Sequence, residues 1–217
     1  MAWGLTIFGN PVQFGRIQNL ERIMGIKIKD PEIQGRYDNH VKYYDGCSRC
    51  TLANCGTNYV FARGSLPCDI LFIGEAPGRD EDKEGEPFVG RSGKLLDKIL
   101  KKISISFRYA ITNTVLCIPL RDVGEKHTTL RQPTREEVAA CNGRLKQFIR
   151  IARPKGVVFL GNVAFESCWD LAKEFVPENK IIKVWHPSYI LRNGGVGSSQ
   201  FDKVKGQLEY FIKEVKK

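Results

Sequence analysis

Four short apolar runs stand out along the chain, each ended by a turn or polar residue: CDILFIG (68–74), YAITNTV (109–115), GVVFLG (156–161) and IIKVWH (181–186). Near-continuous hydrophobicity over so short a length is what a strand covered on both faces requires, so these runs predict buried parallel strands. Between them the period lengthens. SGKLLDKILKKI (92–103) puts Leu95, Leu96, Ile99, Leu100 and Ile103 on one helical stripe. TREEVAACNGRLKQFIRIA (134–152) opens with Thr134 and Glu137 at capping-box spacing and keeps an apolar face behind them. NVAFESCWDLAKEF (162–175) and FDKVKGQLEYFIKEV (201–215) complete the set. Strands alternating with helices predict an α/β fold, a three-layer α/β/α sandwich around a mostly parallel sheet of roughly four strands. Ligands of such sheets sit beyond the carboxyl ends of the strands. GEAPG, TN and HPS fall at those ends.

The rest of the chain is less regular. Residues 1–46 read as an N-terminal extension, with a helical pattern IQNLERIM (17–24) and a polar stretch ending in YYDG, ahead of an α/β domain over 47–217. IPLRDVGEKHTTLRQP (118–133) predicts an exposed, mobile loop. Composition, 42% hydrophobic and 27% charged, is that of a globular protein and excludes a fibre or a disordered chain. No run approaches the ~20 apolar residues of a membrane span, and the N-terminus lacks the basic region and cleavage site of a secretory signal. An intracellular protein without membrane association is expected. Lys and Arg outnumber Asp and Glu by 34 to 24, a formal charge of +10. That balance favours a polyanionic partner, nucleic acid first, with merely solvated lysines as the alternative. Seven cysteines, an odd number, point to metal ligands or nucleophiles rather than a disulfide framework.

Candidate chemistry gathers at the strand ends. In GEAPG, Gly74 and Gly78 bracket Glu75, Ala76 and Pro77, which would hold the Glu75 side chain over a strand end; an ordinary turn with an exposed Glu is the competing reading. In EGEPFVGRSGKLL (84–96), Phe88 is placed either to stack on a planar ligand or to fill the core. Ser92 and Gly93 follow at a helix start, where free N–H groups bind phosphate. Asn113 offers a donor and an acceptor on one amide, which suits reading the edge of a base. WHPSYILRN (185–193) supplies His186, Ser188, the apolar pair Ile190 and Leu191, and Arg192. The acids from Asp80 to Glu84 read as a solvated loop that repels phosphate from the wrong side of a pocket.

Taken in order, CxxC, GEAPG, GxPFVGxSGxLL, TN followed by a Cys, and HPSYxLR resemble the iron–sulfur branch, family 4, of the uracil-DNA glycosylase superfamily, over about residues 47 to 193. The resemblance implies hydrolysis of the bond between uracil and deoxyribose on a nucleotide flipped out of DNA. Phe88 would stack on the base, Asn113 would read its edge, and Gly74 and Ala76 would line the pocket. His186 would stabilise the departing uracil. Glu75 would be the catalytic carboxylate, stabilising charge or activating water; the superfamily's best-known motif has Asp where Ala76 falls. Ser92, Ser188 and Arg192 would meet DNA, with Ile190 and Leu191 either a wedge in the base stack or core residues. A [4Fe–4S] cluster on Cys47, Cys50, Cys117 and Cys141 is implied, with zinc on the same thiols as the alternative. Cys55 is the rival ligand, and Cys68 and Cys168 are incidental.

Three features depart from the family pattern: the long stretch before CxxC, IPLRDV after Cys117, and the length of the loop that follows. That loop carries Lys126 and His127. A related branch traps uracil on a loop histidine, but its Arg-Arg-Ile-His context is missing, so His127 reads as a surface or DNA-contacting residue. The expected partner is uracil-containing DNA, single- or double-stranded, met by a monomer. The alternatives are a non-catalytic DNA-binding protein of the same fold and a glycosylase for another modified base.

Overall fold

The computed structural model describes residues 25–122 and 128–217; the IQNLERIM pattern, Lys126 and His127 lie outside them. The first half of the described chain runs β1 (Ile26–Ile28), α1 (Pro31–Tyr44), β2 (Ala62–Leu66), β3 (Ile70–Gly74), α2 (Arg79–Glu84), α3 (Arg91–Lys101) and β4 (Tyr109–Asn113). It continues through β5 (Leu120–Asp122), β6 (Thr128–Leu130), α4 (Arg135–Ala152), β7 (Gly156–Leu160), α5 (Asn162–Lys173), β8 (Ile181–Val184), α6 (Pro187–Arg192) and α7 (Ser199–Val215).

The main sheet has six strands in the order β1-β2-β4-β3-β7-β8, not roughly four. The four apolar runs are its β4-β3-β7-β8 portion, all parallel. Two strands extend it: β2, antiparallel to β4, and β1, parallel to β2. Both escape a hydrophobicity reading for a physical reason. β2 is ARGSL, with only its ends buried, and β1 is three residues long.

Every residue of β3 is buried, and its side chains alternate between two cores as a strand's must. Leu71 and Ile73 join Val157 and Phe159 beneath α1, α4 and α5, where Tyr37, Leu145, Phe148 and Ala164 pack. Ile70 and Phe72 join Val158 and Leu160 on the other face, beneath Leu96 and Ile99 of α3, Ile190 of α6 and Leu208 and Ile212 of α7. These are the three layers. Asp30 caps α1, which lays Tyr37, His40, Val41 and Tyr44 into the first core, so residues 26–44 take part in both sheet and core.

Segment 118–133 is not an open loop throughout. Ile118 and Pro119 are buried, and β5 pairs with β6 in a small antiparallel ribbon. At its far end Arg131 grips Glu137 with both guanidinium nitrogens, at 2.7 and 2.6 Å. Glu137 also accepts from the Thr134 N–H, completing the expected capping box, and from the Thr51 hydroxyl. One buried carboxylate thus joins the ribbon, the start of α4 and the segment that follows Cys50. Among the described residues no helix is long and apolar enough to cross a membrane.

Candidate active site

Gly74 and Asn113 are register partners at the carboxyl ends of the parallel strands β3 and β4. A Cβ on Gly74 would stand 2.5 Å from Phe88 Cζ and 2.6 Å from Asn113 Oδ1, so only glycine lets those two side chains meet over the strand end. Phe88 is buried and adopts a left-handed backbone, φ 57°, a conformation costly for a residue with a side chain. Its neighbours enforce it. Arg63 donates to the Pro87 carbonyl at 2.8 Å and the Phe88 carbonyl at 3.3 Å while paired with Asp97 at 2.7 Å. A Cβ on Gly93 would fall 1.6 Å from the Phe88 carbonyl oxygen, so the first turn of α3 can seat this loop only as glycine. The Phe88 ring centroid lies 6.0 Å from that of His186.

Asn113 is 1% exposed, yet neither Oδ1 nor Nδ2 has a hydrogen-bond partner. A buried polar group left without a partner costs about 1–3 kcal/mol, and native proteins tolerate it chiefly where function needs it. The strand behind it is anchored. Arg144 of α4, itself buried, donates to Thr112 Oγ1 and to the carbonyls of Asn113 and Thr114, at 3.0, 2.6 and 3.0 Å.

His186 caps α6: its Nδ1 accepts from the Ser188 N–H at 3.1 Å, with the Ser188 hydroxyl at 2.8 Å. A backbone N–H can only donate, so the neutral ring carries its proton on Nε2. Burial, aided by the Arg192 charge, holds the imidazole pKa down at about 4, and the ring is neutral at ordinary pH. Glu75 is half-buried, and burial raises its carboxyl above the usual range. Its backbone is tied down by Thr114, whose N–H meets the Gly74 carbonyl at 2.9 Å and whose hydroxyl meets the Glu75 carbonyl at 2.5 Å. Ala76 is half-buried beside it.

The acids after the turn are not a solvated loop. They form α2, and two of them are fasteners. Glu81 accepts from the N–H of Gly78 at 3.0 Å and of Gly90 at 2.8 Å, binding the GEAPG turn to the loop that carries Phe88. Asp82 accepts from the N–H groups of Thr57 and Asn58. Two of the four carboxylates beside this pocket are thus engaged by backbone donors, while Asp80 and Glu84 stay exposed.

The remaining expected residues divide. Ser92 lies in the first turn of α3, whose N-terminus has no side-chain cap. Arg192 is exposed and Leu191 half-buried at the end of α6. Ile190, expected in a wedge with core packing as the alternative, is fully buried among Phe201, Val204 and Leu208 and is a core residue. Ser188 is engaged with His186. Sequence reasoning had no hold on Arg63, Arg144 or Thr114, whose roles depend on partners distant along the chain.

Cys47 and Cys50, half-buried, and Cys117 and Cys141, buried, pack on the first core in one corner. They lie near enough to act on one another: burial raises the Cys117 thiol, and Cys141, Cys50 and Cys47 raise it further, while Arg144 opposes them. Cys55 instead donates to the Thr51 carbonyl. Cys68 and Cys168 are buried, with thiols that burial pushes up to about 12. Among the described residues no group of three or more His, Cys, Asp or Glu forms a site for a single metal ion. Arg144 bears on whether these thiols fit a bound group. Its guanidinium is buried with only neutral oxygens for partners, and its Nε has none. This cation acts on Cys117 in the direction of thiolate, the ligating form, against the burial that favours the thiol. Four thiols gathered in one corner, with that cation beside one of them, fit a thiolate-ligated group.

The model of the Uracil DNA glycosylase superfamily matches residues 61–209, which include the GEAPG turn, Phe88, Asn113 and His186. The chain is 35% identical over 172 residues to a Type-4 uracil-DNA glycosylase of Archaeoglobus fulgidus, covering 71% of this chain and 82% of that one. It is 38% identical over 159 residues to a Type-4 uracil-DNA glycosylase of Thermotoga maritima, covering 68% and 79%. A glycine-crowded pocket whose base-reading and leaving-group candidates meet at three strand ends, together with this likeness, leads to one assignment: the chain belongs to the uracil-DNA glycosylase superfamily.

Proposed function

We propose that the protein is a DNA-repair glycosylase that hydrolyses the N-glycosidic bond of uracil in DNA and leaves an abasic site. The observation that carries this is the Asn113 amide, buried without a partner over Gly74, where Phe88 also packs. Uracil flipped out of the strand would satisfy it. Asn113 Oδ1 would accept from the ring N–H and Nδ2 would donate to the adjacent carbonyl, while Phe88 covers the base. Cytosine offers an amine where Nδ2 needs an acceptor, and a buried donor facing a donor is heavily disfavoured. Ala76 completes the pocket wall.

As the bond breaks, negative charge grows on uracil and positive charge on the sugar. The neutral His186 donates its Nε2 proton in a hydrogen bond to the uracil oxygen and stabilises the departing anion. The proton is in place because the Ser188 N–H occupies Nδ1. Glu75, made more basic by burial, faces the sugar and takes a proton from the attacking water. The first turn of α3 at Ser92 and the Arg192 guanidinium hold backbone phosphates, so affinity falls as salt rises. Leu191 fills the gap left by the flipped base, with Ile190 as its support in the core. Cys47, Cys50, Cys117 and Cys141 would hold a [4Fe–4S] cluster, whose thiolate bonds would tie the CxxC segment, the segment after β4 and α4 together.

The test is incubation with single-stranded and duplex oligonucleotides carrying one uracil, followed by alkaline cleavage. Strand breaks at the uracil position are expected, and their absence at every protein concentration would overturn the reading. The cluster is tested apart from activity: visible charge-transfer absorbance is expected, lost in Cys141→Ala and kept in Cys55→Ala. The reverse pattern would reassign the ligands.

A further inference from the structure

A second feature opens beside His186. The carboxyl ends of β7 and β8, with α7, enclose a groove of about 520 Å³ whose lining includes Asn162, Lys183, Trp185, His186, Tyr189 and Lys203. Trp185 and Tyr189 are 38% and 39% exposed, among the few large hydrophobic side chains left at the surface. Their ring centroids are 5.3 Å apart, and the Lys203 ammonium stands 4.9 Å from the Trp185 centroid. Neither ring belongs to the two cores. Two lysines and no carboxylate line the groove among the described residues, which selects an anionic ligand with flat apolar parts.

We propose that Trp185 and Tyr189, with Lys183 and Lys203, form a subsite for an unpaired nucleotide adjoining the flipped one, and so favour single-stranded DNA. The inference rests on the reading that the scissile nucleotide sits at His186, which lines the groove as well as the pocket. A base inside a duplex is covered on both faces by its neighbours and cannot offer one to a tryptophan. A base in a single strand can, and stacking of this kind is tolerant of sequence. The lysines supply the phosphate contacts that make such binding salt-dependent.

The experiment is fluorescence anisotropy of the full-length protein with a uracil-free thymidine oligomer and with a hairpin duplex of equal length. The variant Trp185→Ala/Tyr189→Ala should bind the single strand about tenfold or more weakly and the hairpin within about threefold of the parent. Trp185→Phe/Tyr189→Phe should restore single-strand binding, because it keeps the rings. Lys183→Gln/Lys203→Gln should make the salt dependence of single-strand binding shallower. Far-UV circular dichroism and the urea midpoint of each variant should match the parent, since the substituted side chains lie at the surface. Equal single-strand affinity for the double alanine variant and the parent would overturn the subsite. Uracil release by the parent is measured alongside: its presence with unchanged variant binding sinks the subsite alone, and its absence sinks the glycosylase reading while the binding comparison still stands.

Discussion

Two imidazoles among the described residues, one buried and one half-buried, have nearly the same acidity and opposite wiring. His40 of α1 lies wholly inside the first core among Tyr37, Tyr44, Phe61 and Phe148. Burial, reinforced by the Arg144 charge, lowers its pKa to about 4. His186 is lowered to about 4 as well, by burial and Arg192. The difference lies in the protons. His40 Nδ1 faces the Gln147 side-chain oxygen at 3.1 Å, an acceptor only, so its proton is on Nδ1 and a bare Nε2 is shut in the core without a partner. His186 Nδ1 accepts from a backbone N–H, so its Nε2 carries the proton beside the pocket. A depressed pKa therefore does not identify a working histidine here. The backbone partner that fixes the tautomer does.

The largest expected effect separates the two rings. His186→Ala should lower the rate of uracil release by about 10²–10⁴-fold, the range for losing one well-placed donor or acid–base group. His40→Phe keeps an aromatic of similar shape and should leave the rate per folded molecule within about twofold of the parent. Single-turnover release from a uracil oligonucleotide measures both. Comparable losses in the two variants would mean that His40 is coupled to the site, and the contrast between them would fail.

How much of this was legible in the sequence follows from what each feature depends on. The four parallel strands β3, β4, β7 and β8 and the helices α3, α4, α5 and α7 were, because β3, β4 and β7 need near-continuous apolar runs and α3 needs a stripe. Gly74, Glu75, Phe88, Asn113 and His186 were singled out because strand ends, glycines and unusual polar residues mark themselves locally. Strands β1 and β2 did not, since β2 is held by its pairing with β4 and β1 by its pairing with β2, not by their own composition. The acidic run was misread because nothing local says that Glu81 will meet the Gly90 N–H or Asp82 the turn at Thr57. Arg63 and Arg144 look like two more solvated cations in a basic chain; only the fold turns one into the clamp on Phe88 and the other into the anchor of β4. Ile190 went the same way: an apolar residue in HPSYILR can face DNA or the core, and the helical turn of α6 decides for the core.

A middle-sized effect should appear in stability against pH. An unfolded histidine binds its proton near 6.5, and these two near 4 when folded. Between those values the unfolded chain holds more protons, so stability is full above the window and falls as pH drops through it. Each ring contributes at most about 3 kcal/mol, His40 more fully because it is the more deeply buried. Below about 4.5 a carboxylate takes over. Glu137, held down at about 2 first by its bond to Arg131, loses its contribution as pH falls toward that value. Urea unfolding at intervals from pH 7 to 4 should show a slope that His40→Phe roughly halves. An unchanged slope would place the titrating group elsewhere.

The smallest effect in energy tests the same idea at a neighbouring pair. Thr112 and Asn113 are adjacent on β4 and both buried, but the Thr112 hydroxyl donates to the Phe61 carbonyl and accepts from Arg144, while the Asn113 amide has no partner. Asn113→Leu removes both unmatched atoms at nearly constant volume and leaves the backbone carbonyl for Arg144. It should raise stability by about 1–2 kcal/mol, the cost of the unmet polar groups, while removing uracil binding. Thr112→Val strips a satisfied hydroxyl, leaving an Arg144 donor and the Phe61 carbonyl unmet, and should lower stability by a similar amount. Urea midpoints moving in opposite directions would mean that Asn113 is kept for its ligand against the interest of the fold. If Asn113→Leu destabilises the protein as Thr112→Val does, the amide has a structural partner and is not waiting for a base.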